Sequence, residues 1–145
     1  LGYDAGSYLQ HWLDMQERIP NPPKLFLVNW FRKGSDGKFL WPGYGDNMRV
    51  LKWILDRSHG RVNAQETLLG WVPFAGDLDL TGLDVPKAVA EMATRIDLGE
   101  WEYELESQKE WFDKLGKTLP TALEMQRQLL LARVKDARRV EKGQR

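Results

Sequence analysis

The stretch "NWFRKGSDGKFLWPGYGDN", residues 29–47, constrains the fold of this chain more than any other, and we call it the aromatic loop. It contains five aromatic residues, four glycines and a proline. Glycine and proline disfavour helix interiors, so a continuous helix is excluded here. Two apolar runs flank the polar turn "RKGSDGK", which predicts a β-hairpin formed by about Leu25–Phe31 and Phe39–Trp41. The loop "PGYGDN" follows, and Asp46 or Asn47 is expected to cap the next helix.

The rest of the chain is mainly helical in pattern. Apolar residues recur at helical spacing over residues 4–18, 50–55, 87–96, 98–115 and 121–140. One further short strand is expected in "TLLGWVP". The sequence therefore predicts a mixed α/β (α+β-like) fold, mostly helical with a small β-hairpin.

Composition narrows the classes of partner. The 21 basic and 21 acidic residues cancel, so overall charge favours no nucleic acid partner. There are no cysteines, which excludes disulfides and thiolate metal sites and fits a cytoplasmic location. No apolar run approaches the roughly 20 residues of a membrane span. The start "LGYDAGSYLQ" has no initiator methionine and is expected to be a cut within a longer protein.

Two motifs that could carry chemistry have simpler explanations. "GKT" at residues 116–118 resembles the end of a phosphate loop, but Trp111 stands where that motif needs glycine. A helix C-cap is the favoured interpretation. His11 lies within a helix pattern and His59 at a helix end, and neither has a second histidine at metal-ligand spacing. A structural role at the helix terminus is expected for His59.

The acidic and basic clusters of the sequence also have both a functional and a structural interpretation. Asp77, Asp79 and Asp84 alternate mostly with leucines. They could form an acid–base pair, although a solvated loop edge is the more usual outcome. The six Lys or Arg residues between Arg133 and Arg145 could contact an acidic partner or nucleic acid. We expect instead a soluble helix end that frays.

The aromatic loop leaves two interpretations open. Its rings could fill a core, which we prefer for Trp41 and for Phe26 just before the loop, or they could form a platform for a flat ligand. Phe31, Phe39 and Tyr44 suit the platform because they flank turns or lie between glycines. Asn47 adds an amide donor and acceptor, which suits the edge of a heterocycle.

Two other functions remain as alternatives. Trp30 and Trp41 near a hairpin could form an aromatic groove for a proline-rich peptide. The chain could also be a purely structural fragment, in which case Phe31 and Tyr44 should be poorly exposed, with no cleft between them.

Three stretches resemble a known family. "VNWFRKGSDGKFLWPGYGDNMRVLKWILDR", "GYDAGSYLQHWL" and "LDLTGLDV" closely resemble the C-terminal part of GTP-dependent phosphoenolpyruvate carboxykinase. The resemblance runs from about Leu1 to Leu119. It implies that residues 1–119 are the guanine-binding portion of the C-terminal nucleotide-binding domain of a larger enzyme. Residues 120–145 would form a terminal helix and basic tail.

In that family the matching loop is the guanine pocket. The resemblance implies that Phe31 and Tyr44 sandwich the base and that Phe39 supports its edge. Asn47 would read the guanine edge together with the backbone of Tyr44–Asp46. The guanine-binding or GTP-binding residues that the resemblance implies are Trp30, Phe31, Phe39, Tyr44, Gly45, Asp46 and Asn47. This sequence has tyrosine at 44 and aspartate at 46, where the family commonly has phenylalanine and glutamate.

The resemblance also implies the reaction of the larger enzyme. A GTP-dependent carboxykinase converts oxaloacetate and GTP to phosphoenolpyruvate, GDP and CO2 in gluconeogenesis, as a lyase that uses Mn²⁺ and Mg²⁺. Its catalytic residues, metal ligands and phosphate loop are expected upstream, with none in this fragment. The fragment alone is therefore predicted to be inactive. The parent is expected to be a monomer, and the fragment could self-associate through a strand edge.

Overall fold

The computed structural model describes residues 2–74, 76–83 and 87–143. The elements in chain order are α1 (Ala5–Arg18), α2 (Asn47–Ser58), β1 (Gln65–Thr67), β2 (Gly70–Val72), α3 (Lys87–Thr94), α4 (Leu98–Leu115) and α5 (Thr121–Glu141). Two 3₁₀ turns, Tyr44–Asp46 and Gly116–Thr118, precede α2 and α5. The mostly helical α/β character with one small antiparallel sheet is as predicted. Within the described residues, no helix is both long and apolar enough to cross a membrane.

The chain divides into two compact units, one from Leu1–Pro23 with Ile96–Arg145 and one from Lys24–Arg95. In the first unit, α1 begins where the Asp4 carboxylate accepts a hydrogen bond from the Ser7 N–H at 2.7 Å. Gly6, in the first turn of α1, packs so closely on the second 3₁₀ turn that an added Cβ would lie 2.0 Å from the Thr118 carbonyl oxygen. A glycine is therefore required at this contact.

The packing of α4 on α5 forms the core of the first unit. Leu105 on α4 and Val134 on α5 are almost completely buried. The Arg127 side chain is buried beside them, and its charge is balanced by Glu124 one turn earlier on the same helix. Its Nη1 also donates to the Leu105 carbonyl at 2.8 Å. A buried cation is tolerated here because its N–H donors are hydrogen-bonded to a carboxylate of opposite charge and to a backbone carbonyl.

The expected fraying of the basic C-terminal segment stays a prediction, because the last two residues of that segment lie outside the described part of the chain. Helix α5 continues through Glu141. Lys135 donates to Glu106 on α4 at 2.8 Å, and Arg138 donates to Glu102. The acidic face of α4 therefore has a structural explanation, because cations of α5 neutralise part of it.

The second unit contains the sheet, but at a different place from the predicted hairpin. Residues 25–31 form no strand, and the isolated bridge at this place pairs Phe39 with Lys33, a residue of the predicted turn. Leu25 and Leu27 are 92% and 82% exposed. A strand-like pattern needs a neighbour that accepts its backbone hydrogen bonds along its length, and the short return segment after the turn does not provide one.

The observed sheet pairs β1 with β2 in antiparallel register, with Gln65 opposite Val72. The turn between them closes through the Thr67 hydroxyl, which donates to the Gly70 carbonyl at 2.6 Å. Gly70 has φ 120°, a conformation that favours glycine. The sequence pattern had indicated a single strand here, because the turn residues Leu68 and Leu69 are apolar.

The core of the second unit lies beside α2. Its buried apolar side chains are Leu40, Trp41 and Trp53. Trp53 projects from α2 and meets Phe26 edge-on, with ring centroids 6.3 Å apart. Phe26, which lies just before the aromatic loop, is thus anchored on α2.

Candidate functional site

The polar turn of the aromatic loop is closed by its own backbone. The Gly37 N–H donates to the Gly34 carbonyl at 3.0 Å, and the Gly34 N–H donates to the Lys38 carbonyl at 2.9 Å. The bridge between Lys33 and Phe39 lies just beyond. The turn that the two glycines predicted is therefore confirmed, and it fixes the backbone that carries the flanking rings.

Arg32 attaches this loop to α3. Its Nη1 donates to the Met92 carbonyl at 2.9 Å and to the Arg95 carbonyl. These carbonyls lie at the C-terminal end of the helix, where acceptors lack intrahelical donors and a cation is favoured. The Arg32 carbonyl in turn accepts from the Leu40 N–H at 2.9 Å. Sequence reasoning missed this positioning role because the contact spans some sixty residues.

Phe31 and Phe39 are brought together on the surface. Their ring centroids lie 6.1 Å apart at an interplanar angle of 67°, an edge-to-face arrangement. The side chains are nonetheless 73% and 55% exposed. The Lys33 Nζ lies 5.4 Å from the Phe39 ring centroid, close enough for a cation–π contact. These two rings are therefore outside the core.

Tyr44 is the most exposed ring of the loop. It begins the 3₁₀ turn after Gly43, whose φ of 142° favours glycine. Its side chain is 92% exposed, and within the described part of the chain the ring pairs of the loop do not include it. Gly45 beside it is also exposed. The structure thus groups Phe31 with Phe39 but does not bring Tyr44 against them.

Trp41 and Trp30 lie behind the exposed rings. Trp41 is buried, as predicted for a core residue, and Trp30 is half-buried with its ring centroid 6.0 Å away. The indole Nε1 of Trp41 donates to the Asn47 Oδ1 at 2.8 Å. Asn47 is the first residue of α2, and its backbone N–H donates to the Tyr44 carbonyl. The hydrogen bond from the buried Trp41 therefore holds the side chain of Asn47 in place.

Asp46 has an internal partner in Arg49. The Asp46 carboxylate accepts from the Arg49 Nε at 2.9 Å, and the Arg49 Nη1 donates to the Asp79 carbonyl at 2.7 Å. Asp46 precedes α2 but makes no side-chain cap to its backbone. Its carboxylate therefore connects the turn to a second loop. The spacing of three residues from Asp46 to Arg49 could have revealed the first contact, since such residues face each other on a helix.

The neighbouring acids have local roles. The Asp79 Oδ1 accepts from the Thr81 N–H at 3.0 Å, and this backbone hydrogen bond lowers the pKa of Asp79. The Asp77 Oδ2 accepts from the Phe74 N–H at 3.0 Å. Both are loop-stabilising contacts of exposed residues, which fits the solvated loop edge. Asp84 lies outside the described residues.

The remaining motifs also have structural explanations. Gly116 has φ 57° and its N–H donates to the Phe112 carbonyl, which confirms "GKT" as a helix C-cap. The His59 Nδ1 lies 2.8 Å from the Leu55 carbonyl oxygen at the end of α2. His11 is exposed and meets Trp12 edge-on. None of these residues joins the aromatic loop.

The described residues do not fit a metal centre. No group of three or more His, Cys, Asp or Glu side chains lies close enough together to hold an ion, as far as the chain is described. Asp46, one of the two acids of the aromatic loop, is instead paired with Arg49.

Comparison with known proteins assigns the family. Residues 1–133 match the family model described as the phosphoenolpyruvate carboxykinase C-terminal P-loop domain. The match continues past Leu119, where the recognisable motifs stop, and includes more than half of α5.

Curated relatives agree with this match. The chain is 73% identical over 141 residues to phosphoenolpyruvate carboxykinase [GTP] of Anaeromyxobacter sp. (strain K), which covers 97% of this chain and 24% of that protein. It is 50% identical over 139 residues to the enzyme of that name from Arthrobacter sp. (strain FB24), covering 94% of this chain and 23% of that protein. The chain thus spans about a quarter of the length of these relatives. It belongs to the GTP-dependent phosphoenolpyruvate carboxykinase family.

Proposed function

We propose that this chain supplies the guanine-recognition part of a GTP-dependent phosphoenolpyruvate carboxykinase. The observation that carries the proposal is the exposure of Phe31, Phe39 and Tyr44 on a loop that is otherwise folded and anchored. Burying one such side chain contributes about 1.5–3 kcal/mol, so three exposed rings on one loop can contribute binding energy when a ligand covers them.

In the proposed complex the base lies between the faces of Phe31 and Tyr44. Phe39 supports Phe31 through its edge-to-face contact. Stacking on such rings is worth about 1–3 kcal/mol per base. Asn47 and the backbone from Tyr44 to Asp46, including Gly45, read the guanine edge. Trp30 supports the site from behind.

The complete reaction belongs to the longer polypeptide in this proposal. Such an enzyme would convert oxaloacetate and GTP to phosphoenolpyruvate, GDP and CO2, with Mn²⁺ and Mg²⁺ neutralising the charge of the transferred phosphoryl group. Residues that bind the phosphates and metals would lie outside this chain. The contribution proposed here is selection and orientation of the nucleotide base, in a cytoplasmic and monomeric parent enzyme.

The two alternative functions receive less support. Trp41 is buried and Trp30 is half-buried against it, so this pair offers little open surface for a proline-rich peptide. A purely structural loop should bury Phe31 and Tyr44, yet both are highly exposed. Exposure of both rings favours a ligand platform over either alternative.

Replacement of Tyr44 tests the proposed stacking. Titration of the ¹⁵N-labelled chain with GDP, followed by NMR, should show binding shifts at the aromatic loop. Tyr44→Ala removes one stacking face and should weaken GDP binding by about 1–3 kcal/mol, or roughly five- to 150-fold.

Tyr44→Phe is the matched control, because it keeps the ring and loses only a hydroxyl group. Its GDP affinity should be nearly that of the unmodified chain. Equal affinities for Tyr44→Ala and Tyr44→Phe would show that the ring does not stack on the base.

A further inference from the structure

The indole of Trp41 dictates which way the Asn47 amide points. The Trp41 Nε1 and the Asn47 side-chain oxygen are 2.8 Å apart. An indole N–H can only donate a hydrogen bond, whereas an asparagine amide has one accepting and one donating end. The reversed amide would place two donors in contact. The oxygen therefore faces Trp41, and the NH2 group is left as the end that can meet a ligand.

Both partners of this bond are fixed by the fold. Trp41 is buried and packs against Trp30, and the Leu40 N–H before it donates to the Arg32 carbonyl. Asn47 is held at the first position of α2. Because neither residue can move away easily, the bond is built into the loop and does not depend on the ligand.

Purine bases differ at the position that such an amide can read. Guanine carries a carbonyl oxygen, an acceptor, at its 6-position, whereas adenine carries an amino group, a donor. An NH2 group fixed in place can pair with the first and leaves the second without a partner. A donor left unpaired on binding costs about 1–3 kcal/mol, which is the usual basis of such discrimination.

We propose that Trp41 is a specificity-determining positioning residue, which makes the ligand-facing end of Asn47 a hydrogen-bond donor and so selects guanine over adenine. This inference rests on the proposed base-binding function of the loop. Trp41 itself stays behind the site and does not touch the base. Without its N–H, the Asn47 amide can rotate by half a turn and offer its oxygen to the adenine amino group.

Trp41→Phe tests the inference through the ratio of GDP to ADP affinity, measured by NMR titration of the ¹⁵N-labelled 145-residue chain. The unmodified chain should prefer GDP by roughly five- to 150-fold. In Trp41→Phe this ratio should fall by about three- to tenfold, and part of the fall should come from tighter ADP binding. Damage to the loop alone would weaken both nucleotides and could not improve the binding of ADP.

Trp53→Phe is the matched control. Trp53 is also buried in the second unit, but its indole N–H has no hydrogen-bond partner within the described residues. The same loss of ring volume there removes no hydrogen bond, so the GDP to ADP ratio should not change. An equal fall in the ratio for Trp53→Phe would assign the effect to core packing and overturn the inference.

Asn47→Asp provides a second test that keeps Trp41 in place. Its carboxylate accepts from the indole and presents another acceptor to the ligand, so the preference should move towards ADP. A Trp41→Phe chain or an Asn47→Asp chain whose preference for GDP over ADP is unchanged overturns the inference alone. An unmodified chain that binds GDP no better than ADP overturns the proposed function together with it.

Discussion

Arg127 offers a quantitative test of the packing of α4 on α5. Its side chain is 6% exposed, and it donates to both Glu124 carboxylate oxygens, at 2.9 and 2.7 Å, and to the Leu105 carbonyl. Arg127→Met keeps an apolar stem and removes all three bonds. We expect a loss of about 2–3 kcal/mol in the free energy of unfolding, below the roughly 3–5 kcal/mol of a fully buried pair, because Glu124 is 27% exposed and can be hydrated.

The loss should depend on pH in a defined direction. Hydrogen bonds from Arg127 and then from Gln128 lower the pKa of Glu124 from 4.5 to about 2. A carboxylate whose pKa is lower in the folded state stabilises the fold fully above its unfolded pKa. The difference between the unmodified chain and Arg127→Met should therefore be constant above about pH 5 and shrink as the pH falls from 4.5 towards 2.

Hydrogen exchange of the α4 and α5 amides, followed by mass spectrometry, measures the opening free energy of these two helices separately from the second unit. Arg139→Met is the control, since Arg139 pairs with Asp136 on the same helix but both side chains are mostly exposed. Its exchange should be unchanged. A loss below about 0.5 kcal/mol for Arg127→Met, or a loss that is the same at pH 3 and pH 7, would refute the assigned role of this bond network.

Two further predictions concern close packing and exposed surface. Gly6→Ala places a Cβ 2.0 Å from the Thr118 carbonyl oxygen and should lower the melting temperature through a loss of about 1–3 kcal/mol. Gly2→Ala, where nothing lies within 4 Å, should not change it, and equal melting temperatures for the two variants would contradict the close contact between Gly6 and Thr118. Leu25→Lys with Leu27→Lys should reduce concentration-dependent self-association in analytical ultracentrifugation, and unchanged association would exclude this segment as the contact.

The helices could be predicted from the sequence because their signals are local. The predicted helix over residues 98–115 coincides with α4, and the apolar period and the closing glycine both lie within the segment. The strand pattern of residues 25–31 is also local, but a strand requires a partner whose position the pattern does not specify. The predicted strand does not form because the described segment has no strand to pair with. Leu25 and Leu27 of this segment are accordingly exposed.

In the candidate site, too, features set by neighbouring residues could be predicted and contacts between distant residues could not. The glycines predicted the turn, because turn chemistry is local. They left open whether the rings are buried or form a platform, and the structure exposes Phe31, Phe39 and Tyr44. The bonds that orient the loop were not predictable, since Arg32 with Arg95 and Arg49 with Asp79 join residues far apart in sequence. Trp41 was predicted as core, which is correct, but its hydrogen bond to Asn47 requires both the turn and the start of α2 to be in place.

Exposed apolar side chains have two different causes in the second unit. Leu25 and Leu27 lie in a segment without regular secondary structure and are almost fully exposed, so any apolar surface could cover them. The rings of Phe31 and Tyr44 lie on the loop that also holds the amide of Asn47, whose orientation the core determines. A surface that combines ring faces with one fixed donor is selective, because a ligand must be flat and must present an acceptor at its edge. The two leucines therefore lack the selectivity of the aromatic loop, for which we propose a purine base as the ligand.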